Sequence, residues 1–157
     1  LLDAIGQVTG VAERFTTTVT ANGKITQQTP AGTRAIQLRE PDLFHSRFLD
    51  LYGRPNRLAI PERSGKANLG QALNMLAGPI YNEKLASPEG RLQKLLASQA
   101  TDEAILNDLY LTALGRVPDA TERQQILTAL STQPNRNDAW KDLFWAVLCS
   151  REFAENH

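Results

Sequence analysis

Arg34, Arg54, Arg57 and Arg63 fall in segments whose glycines and prolines read as loops around the end of one helix. A guanidinium is planar and offers parallel N–H pairs that match the oxygens of a carboxylate, sulfate or phosphate. With Glu62, Gln71 and Asn74 as further polar contacts, these arginines form a candidate ligand-binding site for an anion. An acidic polysaccharide is the ligand class such a cluster would suit. The same residues have a plainer use, because arginine beside a helix C-terminus satisfies the last carbonyls and pairs with carboxylates such as Asp50 or Glu62. Both uses stay open on the sequence. Other chemistry is scarce. The histidines, His45 and His157, have no second His or Cys at ligand spacing, and Asp42 three residues before His45 does not complete a set. Carboxylate pairs such as Asp102/Glu103 and Glu152/Glu155 sit in first turns or on solvated helix faces. There is no G-x-S-x-G, no P-loop and no G-x-G-x-x-G. No catalytic residue, metal or cofactor is expected.

The elements that must position those arginines belong to a chain of 157 residues with 41% hydrophobic and 22% charged content, within the range of folded domains. Lys+Arg and Asp+Glu are 17 each, which disfavours nucleic-acid binding, since that relies on excess basic charge. The charge is unevenly spread: residues 1–66 hold nine basic and six acidic side chains, and residues 67–157 hold eight and eleven. No apolar run is long enough for a membrane span. Cys149 is the single cysteine, so no intrachain disulfide exists, and its place at the end of an apolar helix suits a small buried hydrophobe.

Periodicity predicts a mainly α fold, a bundle-like single domain of about six to eight helices over residues 1–157, with a small β-hairpin insertion near residues 16–28. Leu1, Ile5 and Val8 begin a helix that Gly10 stops, and Asn22-Gly23 supplies the hairpin turn between Thr- and Val-rich arms. Residues 30–40 read as extended loop with Ile36 and Leu38 turned inward. Phe44, Phe48, Leu51 and Tyr52 share a helix face that Gly53 ends. A further helix carries Leu69, Ala72, Leu73 and Leu76 up to Gly78-Pro79. Ser87-Pro88 is expected to open the next, with Leu92, Leu95 and Leu96 inward, and Thr101 caps a helix with a wide apolar face. Asp119 and Glu122 form a capping box. The last long helix buries Trp140, Phe144, Val147 and Leu148, with Trp145 off that stripe, and Ser150 caps a final turn holding Phe153. Leu51-Tyr52-Gly53-Arg54-Pro55 and Leu114-Gly115-Arg116-Val117-Pro118 repeat one helix-ending chemistry, too briefly to be an internal repeat.

Several segments resemble a known family in order: Leu1-Leu2-Asp3-Ala4-Ile5-Gly6-Gln7-Val8-Thr9-Gly10, Pro30-Ala31-Gly32-Thr33-Arg34-Ala35-Ile36-Gln37-Leu38, Phe48-Leu49-Asp50-Leu51-Tyr52-Gly53-Arg54-Pro55, Glu62-Arg63-Ser64, and Leu69-Gly70-Gln71-Ala72-Leu73-Asn74-Met75-Leu76-Ala77-Gly78-Pro79. Leu109-Tyr110-Leu111-Thr112-Ala113-Leu114-Gly115-Arg116-Val117-Pro118 and the closing Leu143 to Phe153 continue the series. Together they resemble the C-terminal region of the PSD-type domain of unknown function of planctomycetes and verrucomicrobia. The resemblance implies an excised part of a large exported protein, extracytoplasmic and associated with c-type cytochrome-like modules. The family's Cys-x-Cys pair before Glu-Arg-Ser is replaced here by Leu58-Ala59-Ile60-Pro61, so no metal or redox role carries over. The function expected is a non-catalytic interaction module. Its partner would be the upstream region of its own parent chain, or else a surface protein; the alternative is acidic-glycan binding through the arginine loops.

Overall fold

Helix boundaries in this chain are drawn by capping side chains and by glycines that take the left-handed conformation other residues avoid. The computed structural model describes residues 1–18, 25–39, 43–44, 46–54 and 69–156. It is mainly helical, and its chain divides into two compact units, one formed by residues 3–11 with Tyr81 onward and the other by Ala12–Ile80.

The first unit begins with α1 (Leu2–Thr9), which stops at Gly10 with φ 70°. It continues through α4 (Pro79–Ala86), whose first two residues belong to the second unit, α5 (Arg91–Ala97), α6 (Asp102–Leu114), α7 (Ala120–Ser131), α8 (Arg136–Leu148) and α9 (Arg151–Asn156). Helix α6 is central to the unit, packing on α7, α8 and α9, while α8 also meets α5. The interior is formed by Ile5, Val8, Tyr81, Leu92, Ile105, Leu106, Leu109, Trp140, Phe144, Leu148 and Phe153, all buried. The indole of Trp140 would lose a hydrogen bond on burial; its Nε1–H donates to Asp102 Oδ1 at 2.9 Å, and Arg136 Nε donates to that same oxygen at 2.8 Å. The capping residues follow the sequence reading. Thr101 Oγ1 accepts from the Ala104 N–H, Ser150 Oγ accepts from Phe153, and Asp119 with Glu122 closes a reciprocal box.

The end of α1 sits against the turn between α4 and α5. A Cβ at Gly10 would lie 3.1 Å from the Arg91 nitrogen and 3.2 Å from its Cβ. The buried Lys84 reaches the same corner, its Nζ donating to the Val11 carbonyl at 2.7 Å. Helix α4 is absent from the sequence reading, which took Gly78-Pro79 as a stop alone. Proline lacks only a donor that a first helical turn never uses, so Pro79 both ends α3 and starts α4. For the same reason Ser87-Pro88 misleads: residues 87–90 form a turn, and α5 begins after Gly90.

In the second unit, β1 (Thr16–Thr18) and β2 (Ile25–Gln28) pair antiparallel, with Thr16 opposite Gln28 and an irregularity before Thr18. The Asn22-Gly23 turn lies outside the described residues. Thr17 also bridges Phe44, which is therefore not in a helix as its spacing suggested. Helix α2 (Arg47–Leu51) starts later because Ser46 caps it, its Oγ accepting from the Leu49 N–H at 3.3 Å. Residues 35–37 make one 3-10 turn rather than extended chain, and Ile36 points outward, 83% exposed. Tightening to three residues per turn breaks the alternation that would have sent Ile36 inward. Helix α3 (Leu69–Ala77) packs on α2.

Gly10 and Gly115 share a φ of 70°, but nothing lies within 4 Å of a Cβ at Gly115. Gly115→Ala is expected to lose about 1 kcal/mol of stability from backbone strain alone. Gly10→Ala adds a backbone clash to the same strain and is expected to lose more. Urea unfolding of the two variants checks the order.

Candidate functional site

Glycine again decides where the side chains of the second unit gather. Gly53, with φ 73°, ends the α2 turn and sends Arg54 back along the helix. There its Nε pairs with Asp50 Oδ1 at 2.5 Å and its Nη1 donates to the Phe44 carbonyl at 2.5 Å. Arg54 is therefore already bonded, the plainer of its two expected uses. Gln71 is also engaged, its Nε2–H donating to the Leu51 carbonyl at 3.2 Å and tying α3 to the end of α2. Arg34 lies on the surface, where its backbone N–H donates to Gln37 Oε1 at 2.8 Å. Arg57, Glu62 and Arg63 lie outside the described residues, as do Asp42, His45 and His157.

Asn74 is the candidate residue that lines an opening. A cleft of about 260 Å³ runs between α2 and α3, walled by Phe48, Leu51, Leu73 and Ile80. Arg47 and Asn74 are polar residues on its lining. The Asn74 carboxamide oxygen is buried without a hydrogen-bond partner. Arg47, the first residue of α2, is exposed, and its guanidinium has no partner among the described residues. Arg47 is not among the residues that the sequence singles out. The signal it carries is faint: an arginine directly after a helix N-cap, where positive charge opposes the helix dipole and contributes nothing structural.

Along its length α3 also turns an apolar stripe to solvent, and one member, Leu73, borders the cleft. Leu69, Leu73 and Leu76 are 75%, 55% and 62% exposed. They stand at i, i+4 and i+7, the spacing of a buried helix face. Residues 69–81 include no charged side chain.

Among the described residues, the strongest electrostatic cluster lies in the first unit. Gly115 ends α6, and Arg116 extends between α7 and α9. Its Nη1 and Nη2 donate to the two Glu122 oxygens at 2.7 and 2.8 Å. Its Nε and Nη2 donate to the Glu152 oxygens at 2.7 and 2.9 Å. The guanidinium carbon also sits 5.2 Å from the Tyr110 ring centre. Glu122 Oε2 accepts in addition from the Asp119 N–H at 2.9 Å.

Those hydrogen bonds hold the Glu122 carboxyl well below its ordinary range, at about 2. Glu152 is lowered for the same reason and Arg116 is raised. Burial, then the charge of Glu122, pushes the Tyr110 hydroxyl up. Every one of these shifts favours the form already present at neutral pH, so the cluster offers no proton to give or take there. Burial likewise pushes the Cys149 thiol up to about 11, which keeps it protonated and unreactive. Among the described residues, no group of three or more His, Cys, Asp or Glu could hold a metal ion. Among them also, no helix is long and apolar enough to cross a membrane.

No protein-family model, no curated protein and no solved structure matches the chain.

The Glu122 shift fixes the sign of an acid effect. A carboxyl whose folded pKa is depressed contributes stability above its unfolded value, and that contribution is lost as pH falls toward the folded value. The thermal midpoint is expected to drop as pH falls from about 4.5 toward about 2. Arg116→Gln should lower the midpoint at neutral pH and flatten this acid limb. Thermal scans across that range in both proteins check it.

Proposed function

We propose that this chain is a non-catalytic helical interaction module that docks a protein through the outer face of α3. The observation that carries the reading is the leucine stripe, with Leu69 75%, Leu73 55% and Leu76 62% exposed. Contiguous apolar surface is costly to leave in water, and where a folded chain keeps it, association is the usual use. The resemblance to the PSD-type region extends the proposal. On it, the chain is the C-terminal part of a large exported, extracytoplasmic protein associated with cytochrome-like modules. Its first partner is then the upstream region of that parent. The acidic-glycan alternative draws no support from Arg54, which is bonded to Asp50 and to the Phe44 carbonyl.

A ligand of the native state raises the unfolding midpoint by mass action. Mixing the chain with the upstream part of its parent is expected to raise its thermal midpoint by several degrees. The double variant Leu69→Lys/Leu76→Lys should keep its own midpoint, because both side chains are exposed, and should lose the rise. An unchanged midpoint on mixing overturns the reading, as does a rise that the double variant retains in full.

A further inference from the structure

We propose that the cleft between α2 and α3 binds the free C-terminus of a polypeptide that ends in an apolar residue. The inference rests on the reading of the chain as a docking module and names one chemical feature that docks. Three observations within the second unit converge on it. First, the cleft measures about 260 Å³ and its walls are Phe48, Leu51, Leu73 and Ile80, room for one leucine-sized side chain with its backbone. Second, Arg47 lies on the lining, and no carboxylate among the described residues pairs with it. Contrast Arg54, Arg91, Arg116, Arg123, Arg136 and Arg151, each of which has a carboxylate partner. Third, Asn74 lines the cleft, and its carboxamide oxygen is buried and unbonded.

A buried acceptor without a partner keeps the desolvation penalty of its burial, so a donor that enters the cleft recovers that penalty. The terminal torsion of asparagine is broad, which lets the oxygen turn toward such a donor. The ligand must then supply an anion for Arg47, an N–H donor for Asn74, and an apolar body between them. A terminal residue of a polypeptide carries all three on one α-carbon: carboxylate, amide N–H and side chain. A simple fatty acid lacks the donor, and a phosphate lacks the apolar body.

The test uses the intact chain and a fluorescein-labelled Gly/Ser hexapeptide ending in leucine with a free carboxylate, read by anisotropy. Saturable binding is expected. Amidating the peptide's C-terminus should weaken it at least tenfold. Arg47→Gln should cause a similar loss with the acid peptide and little further loss with the amide, because both changes remove one interaction. Arg47 is exposed, so an unchanged thermal midpoint is expected for the variant. Equal binding of acid and amide peptides overturns the proposal, as does an Arg47→Gln variant that binds like the unchanged chain. Octanoate that displaces the peptide at equal concentration, with Asn74→Ala neutral, overturns it in favour of a small carboxylate. The docking proposal is separately readable. If the peptide fails while mixing with the parent region still raises the midpoint, the cleft assignment falls alone. If the peptide binds but that rise is absent, the docking reading falls and the cleft stands.

Discussion

The bonding of Arg116 to Glu122 and Glu152 is the constraint on which the described C-terminal helices depend. One planar fork meets two carboxylates and an aromatic face, and those groups come from different helices. Both carboxylates belong to the first turns of α7 and α9, where negative charge already suits the helix dipole. Glu122 also closes the capping box of α7, so the same carboxylate starts that helix and fixes its direction relative to the end of α6. Exposed ion pairs contribute little one at a time. This one differs in being bidentate and shared, which restricts geometry more than any single pair would.

The same chemistry appears in weaker form at the other glycine–arginine corner. Gly53 and Gly115 both take positive φ, and the arginine that follows each turns back to bond. Arg54 finds a carboxylate on its own helix and a carbonyl just before it. Arg116 finds carboxylates on two later helices. The difference is one of reach: the first corner organises a single short helix, and the second organises the junction of three. Six of the described arginines act in this way as fastening residues. Arg47 stands on a cleft, with no carboxylate partner among the described residues.

The two units also differ in how they treat apolar surface. Helices α6 and α8 turn large side chains inward, and Trp140, Phe144 and Phe153 lose all contact with water. Helix α3 has a stripe of equal quality and leaves it outside. That contrast gives the second unit its functional interest, because water is a poor neighbour for leucine and a protein surface is a better one.

Apart from α4 and the start of α5, the helices of the first unit were legible from local signals: the Thr101 and Asp119 caps, the Gly10 and Gly115 stops, and the inward spacing of Ile105, Leu109 and Phe144 each depend on residues within a turn or two. The errors arose where one local pattern serves two structures. Phe44 fits a helical spacing but pairs with Thr17, and Pro79 reads as a stop while also starting α4. At the candidate site, Asn74 was named for its place beside arginines, and its unmet oxygen in a cleft is a property of how α2 meets α3. Periodicity marks which face of a helix is apolar. Whether that face meets another element or solvent depends on residues far away in the chain. The sequence by itself therefore determined the helical class, most helix ends and the burial of the C-terminal aromatics. Only the tertiary structure decided that Arg54 and Arg116 are bonded, that Arg47 has no partner among the described residues, and that the leucines of α3 stand exposed, because each of these is a matter of distance between segments.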